Sequence, residues 1–366
     1  MEYAEEDISL TKRALELAAA GTGLVSPNPL VGCVIVSPDG SIVGEGTYTL
    51  DGVIHAEAIA LEQAGERARG GTAYVSLEPH SHYGKTPPCT EALINAGIKR
   101  VVCPIEDPNP LVSGKGFDRL RNAGIEVVTG ILADEASRLN EKFICWHRKK
   151  RPFVHLKLAV SLDGRISLKQ SVSTALSGKE ALRRVHDLRH EHDAILVGGN
   201  TAFVDQPSLT DRSGRARRRK LARIVLDNSL RISVDSPLVK TSTETPTIVF
   251  TNSNDLNKIE KLKEAGVAVM ESKKGGRDLA LVLDQLKNLD IQSVLVEGGT
   301  EVAGAFCDAK LVDKITFLVA PIIIGGSSAP VSIGGKGAAS LEEALRLSDI
   351  AITQYGPDIE MIGYPG

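Results

Sequence analysis

The chain has 366 residues, 42% hydrophobic and 24% charged, with a formal net charge of −3. This length exceeds one ordinary core and predicts two domains, and the composition is that of a globular protein. The near-neutral charge excludes a global attraction to nucleic acid or to anionic membrane, so any anion binding must be local. Five cysteines scattered along such a chain make no disulfide framework and imply a reducing, cytoplasmic setting. The N-terminal "MEYAEEDISLTKR" lacks the apolar stretch of a signal peptide, and the longest apolar run, "FLVAPIII", is too short to span a bilayer.

Apolar residues in "DISLTKRALELAAAG" recur at helical spacing. "LVGCVIVSPDGSIVGEG" reads as a hairpin closed by Pro-Asp-Gly. There follow "HAEAIALEQAG" (helix), "GTAYVSLEP" (strand and loop), "TEALINAG" (helix), "IKRVVCPIEDPNP" (strand and loop), "GFDRLRNAG" (helix), "IEVVTG" (strand) and "DEASRLNEKFICWHR" (one helix). Strands alternating with short helices predict an α/β domain over residues 1–146 with helices on both faces of its sheet. The basic segment "HRKKRP", residues 147–152, reads as a solvated linker.

A second α/β series fills residues 153–366. "FVHLKLAVS" is a strand, "SGKEALRRVHDLRHE" a helix, and "DAILVGG", "RIVLD" and "TPTIVF" are strands. "NKIEKLKEAG" (helix), "VAVME" (strand), "LALVLDQLKNL" (helix), "QSVLVEGG" (strand) and "EVAGAFCDA" (helix) continue it, and "KITFLVAPIIIGG" is taken as its last strand. The basic run "GRARRRKLAR" reads as an exposed loop before a strand.

Two places carry chemistry. His55 in "HAEA", with His80 and Cys89 in "SLEPHSHYGKTPPC", offers the nitrogen and sulfur donors that zinc takes, and three such ligands leave a fourth position open for water. Glu57 lies two residues from His55 and so does not share its helix face. It reads as a proton shuttle rather than a ligand. In the second half, "VLVEGGTEVAGAF" and "LVGGNTAFVDQPSLTDR" each place glycines between a strand and a helix, where backbone N–H groups approach a phosphate. Neither has the G-x-G-x-x-G of a dinucleotide fingerprint, so each is a weak signal alone.

The motifs taken together resemble a known family. "ALELAAAGTGLVSPNPLVGCVIV", "HAEAIAL", "YVSLEPHSHYGKTPPC" and "DPNP" are similar to the deaminase domain of the bifunctional riboflavin-biosynthesis deaminase/reductases. "LKLAVSLDGRIS", "LVGGNTAFVDQPSLTDR" and "VEGG" are similar to the reductase domain that follows it in the family. The resemblance implies a cytidine-deaminase-like α/β/α domain followed by a dihydrofolate-reductase-like α/β domain, zinc and NADPH as cofactors, a pyrimidine ribose phosphate as substrate, and a homo-oligomer. It implies zinc at His55, His80 and Cys89, Glu57 as the catalytic acid/base, and deaminase substrate contacts at Asn28, His82, Lys85, Asp107 and Asn109. In the reductase it implies NADPH contacts at Val160, Ala175, Thr201, Asp205, Asn228, Gly299, Thr300, Glu301, Val302, Ala303, Gly304 and Ala305. Substrate contacts there fall on Ser173, Arg189, Leu209, Arg212 and Glu297, while Lys157 and Asp163 match family positions without a role.

This chain departs from the family pattern at three points. His80 stands at the first cysteine of the family's P-C-S-H-x-G-[RK]-T-P-P-C, Tyr48 stands where a histidine is usual, and "ALS" replaces a tryptophan-containing string. An imidazole in place of a thiolate leaves more positive charge at zinc and makes a bound water more acidic. Other readings stay open: a reductase whose deaminase half has lost activity, a deaminase for cytidine or tRNA adenosine, and a zinc-stabilised binding module. The last would need a closed four-ligand site, with His82 as the spare.

Overall fold

A computed structural model of the chain describes residues 3–49, 54–83 and 87–366. Two compact units form, Met1–Lys150 and Arg151–Gly366. The basic segment read as a linker takes up local structure at both of its ends. Residues 147–149 complete the last helix of the first unit, and Arg151 forks onto Asp313 within the second, Nη2 donating to Oδ1 at 2.8 Å.

The first unit runs α1 (Glu5–Ala19), β1 (Gly32–Val36), β2 (Ile42–Thr47), α2 (Ala56–Ala64), β3 (Thr72–Val75), α3 (Cys89–Asn95), β4 (Arg100–Cys103), α4 (Lys115–Asn122), β5 (Glu126–Thr129), α5 (Ala133–Leu139) and α6 (Glu141–Lys149). Its sheet has the order β2-β1-β3-β4-β5, with β1 antiparallel to both neighbours and β3, β4 and β5 parallel. Side chains alternate across a strand. Cys33 and Ile35 of β1 therefore join one apolar cluster with Ala56, Ala60, Leu93 and Phe117, while Val34 and Val36 join another with Leu10, Ala14 and Ile131. The sheet is covered on both faces.

The "GEG" of β2 explains where α2 sits. A Cβ on Gly44 would fall 2.0 Å from the Ala60 carbonyl oxygen, and one on Gly46 would fall 2.1 Å from that of Ala56. The helix backbone thus lies directly on the strand, and the small residues Ala56, Ala60 and Ala64 form its contacting face. That close approach fixes the start of α2, where His55 and Glu57 stand.

The stretch read as one helix after β5 is two, because Asn140 leaves helical geometry at φ −103 and ψ 20. Its amide is used elsewhere: Oδ1 accepts from Leu30 N and Nδ2 donates to the Leu30 carbonyl, both at 2.9 Å. The break anchors the loop that carries Asn28.

The second unit runs β6 (Phe153–Ser161), α7 (Lys179–Glu191), β7 (Ala194–Gly198), α8 (Gly199–Val204), β8 (Ala222–Leu226), α9 (Pro237–Lys240), β9 (Thr247–Thr251), α10 (Leu256–Glu264), β10 (Ala268–Glu271), α11 (Leu279–Asn288), β11 (Ser293–Val296), α12 (Thr300–Asp308), β12 (Lys314–Ala320), β13 (Leu347–Tyr355) and β14 (Asp358–Pro365). The sheet order is β10-β9-β8-β7-β11-β6-β12-β14-β13, parallel from β10 to β12 and antiparallel beyond. Its central strands are buried on both faces, as parallel strands are. Leu196, Val294 and Val296 face a cluster with Phe306 and Leu283, whereas Ile195, Val197 and Val225 face one with Leu238 and Leu262.

The terminal hairpin β13–β14 extends the sheet past the strand taken as last. β13 is exposed along most of its length, and its register slips between Ser348 and Ala351, where Asp349 has φ 52. A bulge with little burial erases the alternation that marks a strand in sequence.

Candidate functional sites

The first unit brings the zinc candidates together. His55 is the N-cap residue of α2, Cys89 opens α3, and His80 lies in the loop after β3, its carbonyl accepting from Thr90 N at 3.3 Å. The ligand atoms of His55, His80 and Cys89 all lie within 4.8 Å of one another. A tetrahedral zinc with bonds of about 2.0–2.3 Å sets its ligands roughly 3.4–3.8 Å apart, so the donors converge to within an ångström or so of that geometry. The His55 and His80 ring centroids are 4.6 Å apart.

The local electrostatics also ask for a cation. Burial, with help from His55 and His82, depresses the His80 imidazole to about 4, which keeps it neutral with a lone pair free. Burial first, then the charge and hydrogen bond of Glu57, push the Cys89 thiol well above its ordinary range. A divalent ion is what would reverse this balance and favour the thiolate. Glu57 is only 2% exposed, and its Oε2 has no hydrogen-bond partner. Buried carboxylate oxygens without partners are costly, and the Glu57 side chain that carries this one acts on the Cys89 thiol of the three-donor cluster.

Around this centre, Asn28 Nδ2 donates to Tyr48 Oη at 2.9 Å, and the Tyr48 ring lies 5.3 Å from that of His55. This tyrosine therefore links Asn28 to His55, a member of the three-donor cluster. His82 is exposed, its ring 5.2 Å from that of His80. Lys85 lies outside the described residues. Asp107 is buried and accepts from Asn109 N at 2.7 Å. Its carboxyl is raised to about 6 by burial, opposed by that hydrogen bond and reinforced by Glu78.

Sequence reasoning missed Glu78. Its buried carboxylate accepts from Asp107 N at 3.1 Å, Gly114 N at 3.0 Å and Gly116 N at 2.8 Å, and so holds the Asp107–Asn109 loop beside the β3 loop. An acid in "SLEP", between a buried strand and the donor loop, was the available signal.

In the second unit a cavity of about 890 Å³ lies along the carboxyl ends of β6, β11, β7 and β8. Open parallel sheets bind ligands at this edge. Ser173, Thr201, Asp205, Asn228, Gly299, Thr300, Glu301, Val302 and Ala305 line it. Other expected contacts are placed differently. Val160 and Ala303 point into the core, and a Cβ on Gly304 would meet the Gly334 carbonyl carbon at 2.3 Å, so that glycine serves packing. Ala175 is exposed just past the lining residues Ser173 and Thr174.

The residues expected to meet the second substrate form a polar cluster. Arg189 forks onto Glu297, Nε to Oε1 at 2.8 Å and Nη2 to Oε2 at 3.0 Å, and Lys157 Nζ stands 3.6 Å from the same carboxylate. Arg189 is thus no helix-surface charge, and Lys157 acquires a partner. Arg212 donates to Thr210 Oγ1 at 3.1 Å and to Ser208 Oγ at 2.8 Å, while Arg189 Nη1 donates to the Thr210 carbonyl at 3.1 Å. Leu209, at φ 48, is buried in the core, so its side chain is an anchor for this loop and not a polar contact.

Arg223, fully buried and without a carboxylate partner among the described residues, was also missed. It donates to the Ser208 carbonyl at 3.2 Å, Thr241 Oγ1 at 2.8 Å and the Leu238 carbonyl at 3.0 Å, pinning the same loop. Asp163 has a comparable structural use: it accepts from Ser161 Oγ, Ile324 N and Gly325 N.

Comparison with known proteins assigns a family to each unit. The model for the cytidine and deoxycytidylate deaminase zinc-binding region matches residues 4–105, and that for the RibD C-terminal domain matches residues 152–361. The chain belongs to the RibD family. It is 43% identical over 355 residues to the riboflavin biosynthesis protein RibD of Aquifex aeolicus (strain VF5), covering 97% of each chain. It is 39% identical over 358 residues to that of Escherichia coli (strain K12), covering 95% of this chain and 96% of the other. RibD of Acinetobacter baumannii superposes with a TM-score of 0.86 at 36% identity, covering 99% of both chains. A Thermotoga maritima diaminohydroxyphosphoribosylaminopyrimidine deaminase/5-amino-6-(5-phosphoribosylamino)uracil reductase gives 0.85 at 34% identity, also covering 99% of both. This RibD-family chain is a bifunctional enzyme with a zinc-binding deaminase domain and a reductase domain, and no described helix is long and apolar enough to cross a membrane.

Proposed function

We propose that the first unit deaminates 2,5-diamino-6-ribosylamino-4(3H)-pyrimidinone 5′-phosphate and that the second reduces the product's ribose to ribityl with NADPH. The observation that carries the first step is the orphaned, buried Glu57 Oε2 beside the His55, His80 and Cys89 donors. These three residues hold the zinc, which when bound supplies the Lewis acidity that makes a water acidic. Glu57 takes a proton from the attacking water as the C–O bond forms by addition to the amino-bearing ring carbon, and delivers it to the amino group, which leaves as ammonia when the C–N bond of the adduct breaks. Asn28, His82, Lys85, Asp107 and Asn109 orient the pyrimidine and its ribose phosphate.

In the second unit the cavity fits a dinucleotide in size and in its glycine-lined strand-to-helix turns. NADPH supplies hydride there. Thr201, Asp205, Asn228 and the turn from Gly299 to Ala305 hold the cofactor. Ser173, Arg189, Arg212 and Glu297 orient the ribose phosphate, Arg212 through the guanidinium that suits phosphate oxygens and Arg189 by holding the Glu297 carboxylate in place. The five cysteines are all free, which suits a cytoplasmic enzyme, and we expect a homo-oligomer.

One experiment tests both halves: zinc stoichiometry of the purified chain, with ammonia release and NADPH oxidation on the pyrimidine phosphate. Metal at one equivalent and both activities are expected. A chain that oxidises NADPH on the deaminated substrate but releases no ammonia would return the reductase-only reading.

A further inference from the structure

Three consecutive residues of the loop after α8 are held by one face of α7. Arg189 Nη1 donates to the Thr210 carbonyl at 3.1 Å, His190 Nδ1 stands 3.0 Å from Asp211 Oδ2, and Arg212 N donates to His186 Nδ1 at 3.2 Å. Positions 186, 189 and 190 are i, i+3 and i+4, which are neighbours on a helix surface. Arg212 is exposed, and its guanidinium folds back onto Thr210 Oγ1 and Ser208 Oγ with no carboxylate partner among the described residues. Its direction is therefore set by the backbone from which it springs, and His186 accepts the hydrogen bond of that backbone.

We propose that His186 is a positioning residue of the reductase, whose neutral imidazole straps the Arg212 backbone to α7 and so aims the Arg212 guanidinium into the substrate site. The inference rests on the reading above that Arg212 orients the ribose phosphate. The tautomer follows from the geometry. An N–H aimed at Nδ1 requires a lone pair there, so the ring carries its proton on Nε2. A second proton would have to sit on Nδ1, opposite the Arg212 N–H, and would undo the strap.

The other two ties respond differently to acid. Arg189 cannot be deprotonated in a protein, and its guanidinium is fixed by the fork onto Glu297. A proton on His190 would tighten its bond to the Asp211 carboxylate, which Arg217 Nη1 also meets at 3.2 Å. Only the His186 tie is one that acid releases. The groups facing it are Arg189 on α7, Asp211 and Arg212 on the loop, and Glu297 just past β11. Nearby, Asp187 is taken up by Arg215, and Lys157 by Glu297. Burial first, then Arg189 and Arg212, outweigh the two acids and hold the imidazole below its ordinary 6.5, so the strap is intact at neutral pH.

The test is steady-state NADPH oxidation by the full chain on the deaminated pyrimidine phosphate between about pH 5 and 8, with kcat and KM separated. His186→Ala is expected to raise KM about fivefold at neutral pH, the weight of one neutral hydrogen bond, with kcat and NADPH affinity little changed. His186→Asn places an amide oxygen where Nδ1 stood. It should restore KM and, with no proton to take up, keep the strap in acid. The wild-type KM should climb relative to that of His186→Asn as pH falls below 6.5. The substrate's phosphate titrates in the same range for both enzymes, and the ratio of the two KM values removes its effect. An unchanged KM in His186→Ala, a His186→Asn enzyme no better than His186→Ala, or a ratio flat with pH overturns the inference and leaves the reductase reading standing. A wild-type chain that oxidises no NADPH on this substrate overturns both.

Discussion

Arg189 and Glu297 form a forked, buried ion pair that Lys157 joins from β6. Burial alone would raise the Glu297 carboxyl, but Lys157 and Arg189 outweigh it and hold it at about 2, below its ordinary 4.5. A carboxylate depressed in the folded state contributes stability that is complete above its ordinary value and is lost as pH falls toward the folded one. The reductase unit should therefore lose stability from about pH 4.5 down to about 2. Glu297→Gln leaves two cations without a counter-charge and is expected to cost about 3–5 kcal/mol at neutral pH. Chemical unfolding at several pH values checks this: the variant should be weaker at pH 7 and flatter in acid, and a variant with wild-type stability and slope would refute it.

Asp107 carries the opposite sign. Burial raises its carboxyl to about 6 from an ordinary 3.8, with Glu78 adding to the effect and the Asn109 N–H opposing it. The protonated form is the one the fold favours, so its effect on stability worsens as pH climbs from about 4 through 6. Asp107→Asn should stabilise the deaminase unit at pH 8 by about 1–3 kcal/mol and have almost no effect at pH 4. The same variant should raise the KM for deamination. Thermal unfolding at the two pH values, with steady-state kinetics, reads both outcomes.

The helices and strands that bury a regular face were legible in the sequence, and so was the cluster of His55, His80 and Cys89, because "HAE" and "H…PPC" place two imidazoles, a thiol and an acid in a pattern that few other needs produce. What was not legible depended on contacts distant in sequence. Asn140 looks like any polar residue inside a helix until Leu30, 110 positions away, takes both ends of its amide. Arg223 opens an apolar strand, and only the folded loops supply the carbonyls that make its burial tolerable. β13 was lost to its exposure and bulge.

Gly46 has a sequence-invisible role that a single methyl group exposes. Its added Cβ would sit 2.1 Å from the Ala56 carbonyl oxygen, in the first turn of α2 between His55 and Glu57. Gly46→Ala must push the helix off the strand, at a cost of about 1–3 kcal/mol typical of overpacking. Because the displaced turn carries a ligand and the shuttle acid, zinc affinity should fall with stability. A shift in Tm measured on chelated and zinc-loaded protein separates the two effects, and an unchanged Tm would show that the helix absorbs the methyl freely.

Zinc removal should divide the enzyme along its two units. His80 stands where the resemblance implies a cysteine, and its imidazole, kept neutral by burial, is one of three clustered donors among the described residues. His80→Ala leaves two, too few for a tight site, and should lower zinc affinity by at least 100-fold with loss of ammonia release. NADPH oxidation on the already deaminated substrate should persist, since that chemistry uses residues of the other unit. His80→Cys should keep the metal, and with a thiolate in place of a neutral ligand its activity should need a higher pH, because less positive charge at zinc leaves the attacking water less acidic. Metal analysis and the pH profile of ammonia release decide it: full zinc occupancy in His80→Ala, or an unshifted profile in His80→Cys, would remove His80 from the metal site.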